Sequence, residues 1–200
     1  MTGSDTVLVG HAASFDPAKA LSLSPRVNKL VKGEFDFTVL DLANKVRPEL
    51  IKGLIWKDSQ GVLQENPPRE PIPAEAWDRY PFVTDVYRRH LNIKNYWNSG
   101  HKYPYIDLFT GRGCSWGWCT FCLWPHTMYG GPGPKYRKRP ISSVIEELKF
   151  IRSELPFIKD IYFQDDNMPK DRAIEISEAI LENHLKLRWS SYSRDKVWVR

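Results

Sequence analysis

Apolar residues fall along this chain in short bursts separated by turn-forming segments, and the spacing within each burst predicts the element it builds. Residues 6–9, Thr-Val-Leu-Val ending at Gly10, form a continuous apolar run that predicts a short buried strand. Residues 18–23 predict a short helix, and Leu30 and Val31 ahead of Gly33 and Glu34 predict a second strand with its turn. Asp36 is the predicted cap of a helix that carries Val39, Leu40, Leu42 and Ala43 on one side. Gly53 to Trp56, a polar stretch from Asp58 to Gly61, then Val62 and Leu63 predict a hairpin. Strand–helix alternation of this kind points to a parallel α/β layer.

The pattern then breaks. Residues 66–81 hold five of the fifteen prolines. Proline fixes φ and removes a backbone donor, so this segment predicts a stiff connector that stays out of any sheet interior. A helix-like piece at 83–91 and a polar, aromatic stretch at 92–103 follow. Residues 105–109 alternate and predict the first strand of a further domain. Gly130, Gly131, Pro132, Gly133 and Pro134 make a second break. Beyond it, Ser143 with Glu146 predicts a capping box, and Val144, Ile145, Leu148 and Ile151 form the apolar face of a helix ending near Pro156. Ile161 to Phe163 predict a second strand, closed by Gln164, Asp165, Asp166 and Asn167. Asp171 predicts the cap of a helix with Ala173, Ile176, Ala179 and Ile180 inward, and 187–193 predict a third strand. Three strand–helix steps from 105 onward are what a parallel (β/α) barrel begins with, and such barrels place functional groups at the C-terminal ends of their strands. The expected organisation is an α/β layer with hairpin over 1–65, a connector and helix over 66–104, and a partial barrel over 105–200.

Composition narrows this little. A chain of 200 residues with 42% hydrophobic and 26% charged residues is ordinary for a globular protein. No apolar run reaches membrane-spanning length and the N-terminus lacks a signal-peptide pattern, which together with reduced thiols point to a cytoplasmic location. Much of the net charge of +5 lies in residues 135–139, Lys-Tyr-Arg-Lys-Arg. That run reads as a solvated loop, close enough in sequence to the cysteines to touch an anionic substrate, rather than as a nucleic-acid surface.

The cysteines change the picture. All three, Cys114, Cys119 and Cys122, lie within nine residues, and packing or disulfide use would scatter them. Closely spaced thiolates suit either tetrahedral zinc or an iron–sulfur cluster. A zinc site needs a fourth ligand, which His126 could supply, and such a Cys3His module with the basic run beside it could contact nucleic acid. The spacing, with no second close pair, favours iron–sulfur and leaves zinc open. His11, in a Gly-His-Ala turn, reads as a surface or turn residue rather than a ligand.

The stretch from Thr110 through Gly111, Arg112, Gly113 and Cys114 to Cys119-Thr-Phe-Cys122-Leu-Trp-Pro resembles the cluster loop of radical S-adenosylmethionine (SAM) enzymes, in the branch with a cobalamin-binding domain ahead of the radical domain. The family pattern has three residues between its first two cysteines; four stand here, Gly117 among them. The resemblance implies a [4Fe-4S] cluster on Cys114, Cys119 and Cys122 whose open iron takes SAM, reductive cleavage to a 5′-deoxyadenosyl radical, and a partial barrel of which about three of six βα units are present. It implies Phe121 beside the adenine and Asp165 or Asp166 near the SAM amino group, while Ser191 and Arg194, ending the third strand, could face the pocket. Trp116, Trp118 and Trp124 would shield the loop from solvent. An electron donor such as flavodoxin or ferredoxin, and a small-molecule or lipid substrate that is methylated or rearranged, complete that picture. Residues 1–65 resemble the last part of the family's cobalamin-binding domain; its Asp-x-His-x-x-Gly segment is absent, which members of the family can lack and still bind the cofactor, and the first half of its doubly wound sheet is missing, which weighs more and leaves cobalamin a possible but doubtful cofactor. A truncated relative without turnover is a further alternative.

Overall fold

The computed structural model describes residues 6–194; the outermost parts of the first and last predicted segments lie outside them. In chain order the helices are α1 His11–Phe15, α2 Pro17–Ser22, α3 Asp36–Ala43, α4 Val83–His90, α5 Trp124–Met128, α6 Ile141–Glu154 and α7 Lys170–Glu182. The strands are β1 Val7–Leu8, β2 Lys29–Val31, β3 Leu54–Lys57, β4 Leu63–Glu65, β5 Tyr105–Leu108, β6 Gly111–Arg112, β7 Arg137–Lys138, β8 Asp160–Phe163 and β9 Trp189–Ser191. They make a mixed α/β fold in two compact units. One runs to Ile72 and includes Gly117–Gly133; the other comprises Pro73–Trp116 and the chain from Pro134. Among the described residues, no helix is long and apolar enough to cross a membrane.

In the first unit β1 pairs parallel with β2, β2 antiparallel with β3, and β3 antiparallel with β4. Side chains alternate across a strand, so register partners share a face. Leu30 opposite Ile55 joins Ala13, Leu21 and Val27 on one side, and Val31 opposite Leu54 joins Ile51 on the other. The expected hairpin forms because the Asp58 carboxylate accepts the backbone N–H groups of Gln60 and Val62, each at 2.9 Å, which shapes the turn. Two expectations fail. Asp36 is the first residue of α3, and the cap position falls on Phe35. Nor is the Val39–Leu40 side buried: those residues are 39% and 51% exposed. The helix packs instead through Thr38, whose buried hydroxyl donates to the Lys52 carbonyl at 2.9 Å, and through Leu42. The proline segment stays with this unit to Ile72, because the Pro67 carbonyl accepts from Gly53, Arg69 pairs with Asp41, and the Ile72 N–H donates to Glu34.

In the second unit β5, β8 and β9 form a parallel sheet in that order. Ile106, Leu108, Ile161 and Phe163 fill one face against Val144, Leu148 and Ile151 of α6 and Ala173, Ile176 and Ile180 of α7. Each such side chain contributes about 1.5–3 kcal/mol on burial, so this face holds the sheet together. The helical faces are those expected, but the starts are not. Pro140 precedes α6 and Pro169 precedes α7, and neither helix has a side-chain cap. Ser143 lies inside the first turn, where its hydroxyl accepts from Arg139 Nε at 3.0 Å, and Glu146 pairs with Lys149. Asp171 is the second residue of α7 and is gripped by Lys138 at 2.8 Å, a hydrogen bond that lowers its carboxyl pKa.

The basic run is not a solvated loop. Arg137 and Lys138 form β7, which pairs antiparallel with β6. Arg139 pairs with Glu147, fully buried and also accepting from Thr84 N at 3.1 Å and Thr84 Oγ1 at 2.8 Å. The Arg139 charge is thus spent inside the fold, as a buried carboxylate requires, while Lys135 and Lys138 stay exposed.

Candidate functional site

The C-terminal strand ends of the second unit are tied together by a buried polar node. Thr110, just past β5, donates its backbone N–H to Asp165 Oδ1 at 2.8 Å and its hydroxyl to Oδ2 at 2.5 Å, and Tyr136 donates its phenol to Oδ2 at 2.6 Å. Burial raises the Asp165 carboxyl pKa despite these donors, and burial with the Asp165 charge raises that of Tyr136. Arg172, fully buried, donates to the Thr110 carbonyl at 2.8 Å and the Arg139 carbonyl at 2.6 Å, and its guanidinium lies 3.1 Å from Glu175. Both arms flanking the cysteine loop therefore start from fixed points.

This separates the two predicted aspartates. Asp165 is 1% exposed with its carboxylate engaged by three donors, so it roots the loop. Asp166, the next residue, is half-buried.

Register decides which strand residues lie opposite the helices. Asp107 pairs with Tyr162 and Tyr162 with Ser190, so these three share the face away from the core. Gln164 donates to Asp107 at 2.8 Å, and Tyr192 meets Tyr162 edge-on with ring centroids 5.5 Å apart. Ser191 pairs with Phe163, on the core-side row, so the strand presents Ser190 and not Ser191 with Asp107 and Tyr162. Sequence reasoning missed Asp107, Tyr162 and Ser190, although the alternation of Ile106 and Leu108 carried the signal. Arg194 lies with its guanidinium 4.1 Å from the Trp116 ring centroid, a cation–π contact.

The cysteine loop leaves β6. Its first cysteine belongs to the second unit: the Cys114 carbonyl accepts from Lys135 N–H at 2.9 Å, and the Trp116 N–H points at Cys114 Sγ at 3.4 Å. The next two belong to the first unit. There Gly117 adopts φ +68°, and a Cβ on it would stand 1.9 Å from the Gly133 carbonyl oxygen, so only glycine fits the close approach. Cys122 donates its N–H to the Cys119 carbonyl at 3.2 Å, closing a turn that leaves Phe121 87% exposed. Helix α5 follows, with His126 exposed on it. His11 packs against this helix, its ring 3.9 Å from that of Trp124 and its Nδ1 2.7 Å from Thr127 Oγ1. Trp116, Trp118 and Trp124 are 41%, 56% and 41% exposed, which is not a closed shield.

None of the cysteines forms a disulfide, and all three are half-buried. Among the described residues no group of three or more His, Cys, Asp or Glu side chains is gathered to hold a metal ion. The donor chemistry nonetheless suits an iron–sulfur cluster: three thiols, one with a backbone N–H aimed at its sulfur, on a loop anchored at strand ends. The strands of the first unit follow one another in the order β1-β2-β3-β4, with only the first pair parallel.

The fold is similar to parts of two solved structures of SAM radical enzymes. The apo structure of one such enzyme, OxsB, matches 96% of this chain and 26% of its own with a TM-score of 0.67 at 21% identity. TsrM from Kitasatospora setae, a radical SAM methyltransferase solved with cobalamin and a [4Fe-4S] cluster, matches 94% of this chain and 37% of its own with a TM-score of 0.58 at 17% identity. In sequence, an uncharacterized methyltransferase of Pyrococcus horikoshii, PH0819, is 30% identical over 94% of this chain and 39% of its own length. No family profile matches. The chain thus spans well under half of each of these proteins.

Proposed function

We propose that this chain is part of a radical SAM protein in which Cys114, Cys119 and Cys122 hold a [4Fe-4S] cluster and SAM is reductively cleaved to begin methylation or carbon-skeleton modification of an organic substrate, lipids among the candidates. The observation that carries this reading is the confinement of every cysteine to one loop rooted at the C-terminal end of a parallel strand, on a fold shared with OxsB and TsrM. When bound, such a cluster supplies the electron that breaks the sulfonium carbon–sulfur bond. The chain's own residues bind and orient. One of the two aspartates beyond β8, Asp165 or Asp166, is the acceptor assigned to the SAM ammonium; Asp165 also accepts from Thr110 and Tyr136. Phe121 is exposed and available to lie along the adenine. Asp107, Gln164 and Tyr162 line the sheet face on which a substrate would rest. The electron would come from a flavodoxin- or ferredoxin-type partner. No step of this reading is drawn through cobalamin.

The test is anaerobic incubation of reconstituted protein with dithionite and SAM, followed by chromatography. 5′-Deoxyadenosine is expected from the wild type and from none of the three Cys→Ala variants. A brown protein that yields none would mark a relative without turnover. A colourless protein with stoichiometric zinc would favour a Cys3His module and end the proposal.

A further inference from the structure

The first cysteine is braced by a side chain that carries no mark in the sequence. Asn167 is 8% exposed, and both ends of its amide are committed: Nδ2 donates to Ser115 Oγ at 2.7 Å and Oδ1 accepts the Arg194 N–H at 3.1 Å. Its backbone forms a parallel β-bridge with Cys114. On its other side Met168 donates to the Tyr192 carbonyl at 2.9 Å and Ser193 Oγ donates to the Met168 carbonyl at 2.9 Å. Residues 167–168 therefore continue β8 as a middle strand between the Cys114 segment and the tail of β9, one tier above the regular sheet. Arg194, fixed there through its backbone, reaches over Trp116, whose N–H points at the Cys114 sulfur.

We propose that Asn167 is a positioning residue for Cys114: it locks the Ser115 and Arg194 arms together so that this thiol and the N–H beside it are set before any cluster arrives. The proposal deepens the cluster reading and borrows its assignment of Cys114 as a ligand. Two properties of an asparagine suit the role. Its amide donates and accepts at once, so one side chain can join a hydroxyl to a backbone N–H. Buried amides left half-satisfied are costly, so the bridge has a single stable arrangement. Arg194, expected from its place at the end of the third strand to face the pocket, acts here through its backbone and its stacking on Trp116.

The experiment is amide hydrogen exchange by NMR on the apo chain, followed by anaerobic reconstitution of the same variants. Asn167→Ala should speed exchange at Trp116 and Lys135, neither of which Asn167 itself bonds, by roughly fivefold, the equivalent of one net hydrogen bond. The Cys122 amide, bonded to the Cys119 carbonyl, serves as the internal control and should not change. Ser115→Ala, which removes only one arm, should give a smaller effect in the same amides. Asn167→Asp, which keeps the acceptor for Arg194 and can accept from the serine hydroxyl, should restore most of the protection. After reconstitution, Asn167→Ala should shift the electron paramagnetic resonance spectrum of the reduced cluster, and Asn167→Asp should return it toward wild type. Unchanged exchange at Trp116 and Lys135 in both Asn167→Ala and Ser115→Ala overturns the proposal. Should Asn167→Ala fail to fold, Ser115→Ala and Asn167→Asp decide alone. Failure of the wild type to take up iron would sink the cluster reading, while the exchange data would still decide the brace.

Discussion

Arg172→Met is the perturbation that most directly probes how the loop is rooted. The methionine fills much of the arginine's volume but has no donor, so the carbonyls of Thr110 and Arg139 lose partners at 2.8 and 2.6 Å. Hydrogen bonds from a charged group contribute about 1.5–3 kcal/mol each, which puts the pair at about 3–6 kcal/mol. Glu175 moderates the loss. It is the carboxylate beside the guanidinium, but at 37% side-chain exposure water can replace the arginine, so no buried charge is stranded. A cost near the lower end, about 3 kcal/mol, is expected, or a fall of about 6–12 °C in melting temperature for a chain of this size. Arg172→Lys keeps the charge but presents a single ammonium in place of a fork, and should lose roughly half as much. Urea unfolding followed by circular dichroism measures both. If Arg172→Met costs less than about 1 kcal/mol, or no more than Arg172→Lys, the two carbonyl contacts are incidental and the node does not root the loop.

Further expectations follow from the same geometry. Burial raises the Asp165 carboxyl pKa, so the folded chain holds that proton more tightly than the unfolded one. The associated stability is complete below the ordinary value of 3.8 and is lost as pH rises through the raised value, so the stability difference between wild type and Asp165→Asn should shrink with rising pH in urea titrations; a widening difference contradicts the sign. Gly117→Ala places a Cβ 1.9 Å from a carbonyl oxygen at a φ that disfavours side chains, and should cut iron uptake severalfold with far-ultraviolet circular dichroism unchanged; normal uptake would show that the close approach is dispensable. His126→Ala should leave iron content as it is, since this exposed side chain has no role in a three-cysteine cluster, and iron loss would restore the Cys3His alternative.

Elements that depend on local periodicity were legible in the sequence. The apolar faces of α6 and α7, the strands β5, β8 and β9, and the 54–65 hairpin all follow from spacing alone. What was hidden depends on partners distant in sequence. Ser143 and Glu146 have the spacing of a capping box, but the cap falls three residues earlier, on Pro140, and Arg139 takes the serine. The basic run looks solvated until Glu147, Asp171 and Glu175 are seen to meet it across 8 to 37 residues. In α3 a threonine and not the valine–leucine pair is buried, because the Lys52 carbonyl and Arg69 converge on Thr38. Within the site the three cysteines stood out at once, whereas telling Asp165 from Asp166 required the Thr110 and Tyr136 donors, and placing Ser190 rather than Ser191 beside Tyr162 required the strand register.

The most direct test of the central claim is metal and acid-labile sulfide analysis of protein reconstituted without oxygen. About four irons and four sulfides per chain, with broad visible absorption, are expected in the wild type and should be lost from each of Cys114→Ala, Cys119→Ala and Cys122→Ala. Protein that stays colourless and sulfide-free, or that retains its full iron after any one of those substitutions, would contradict the claim that these three thiols hold a cluster.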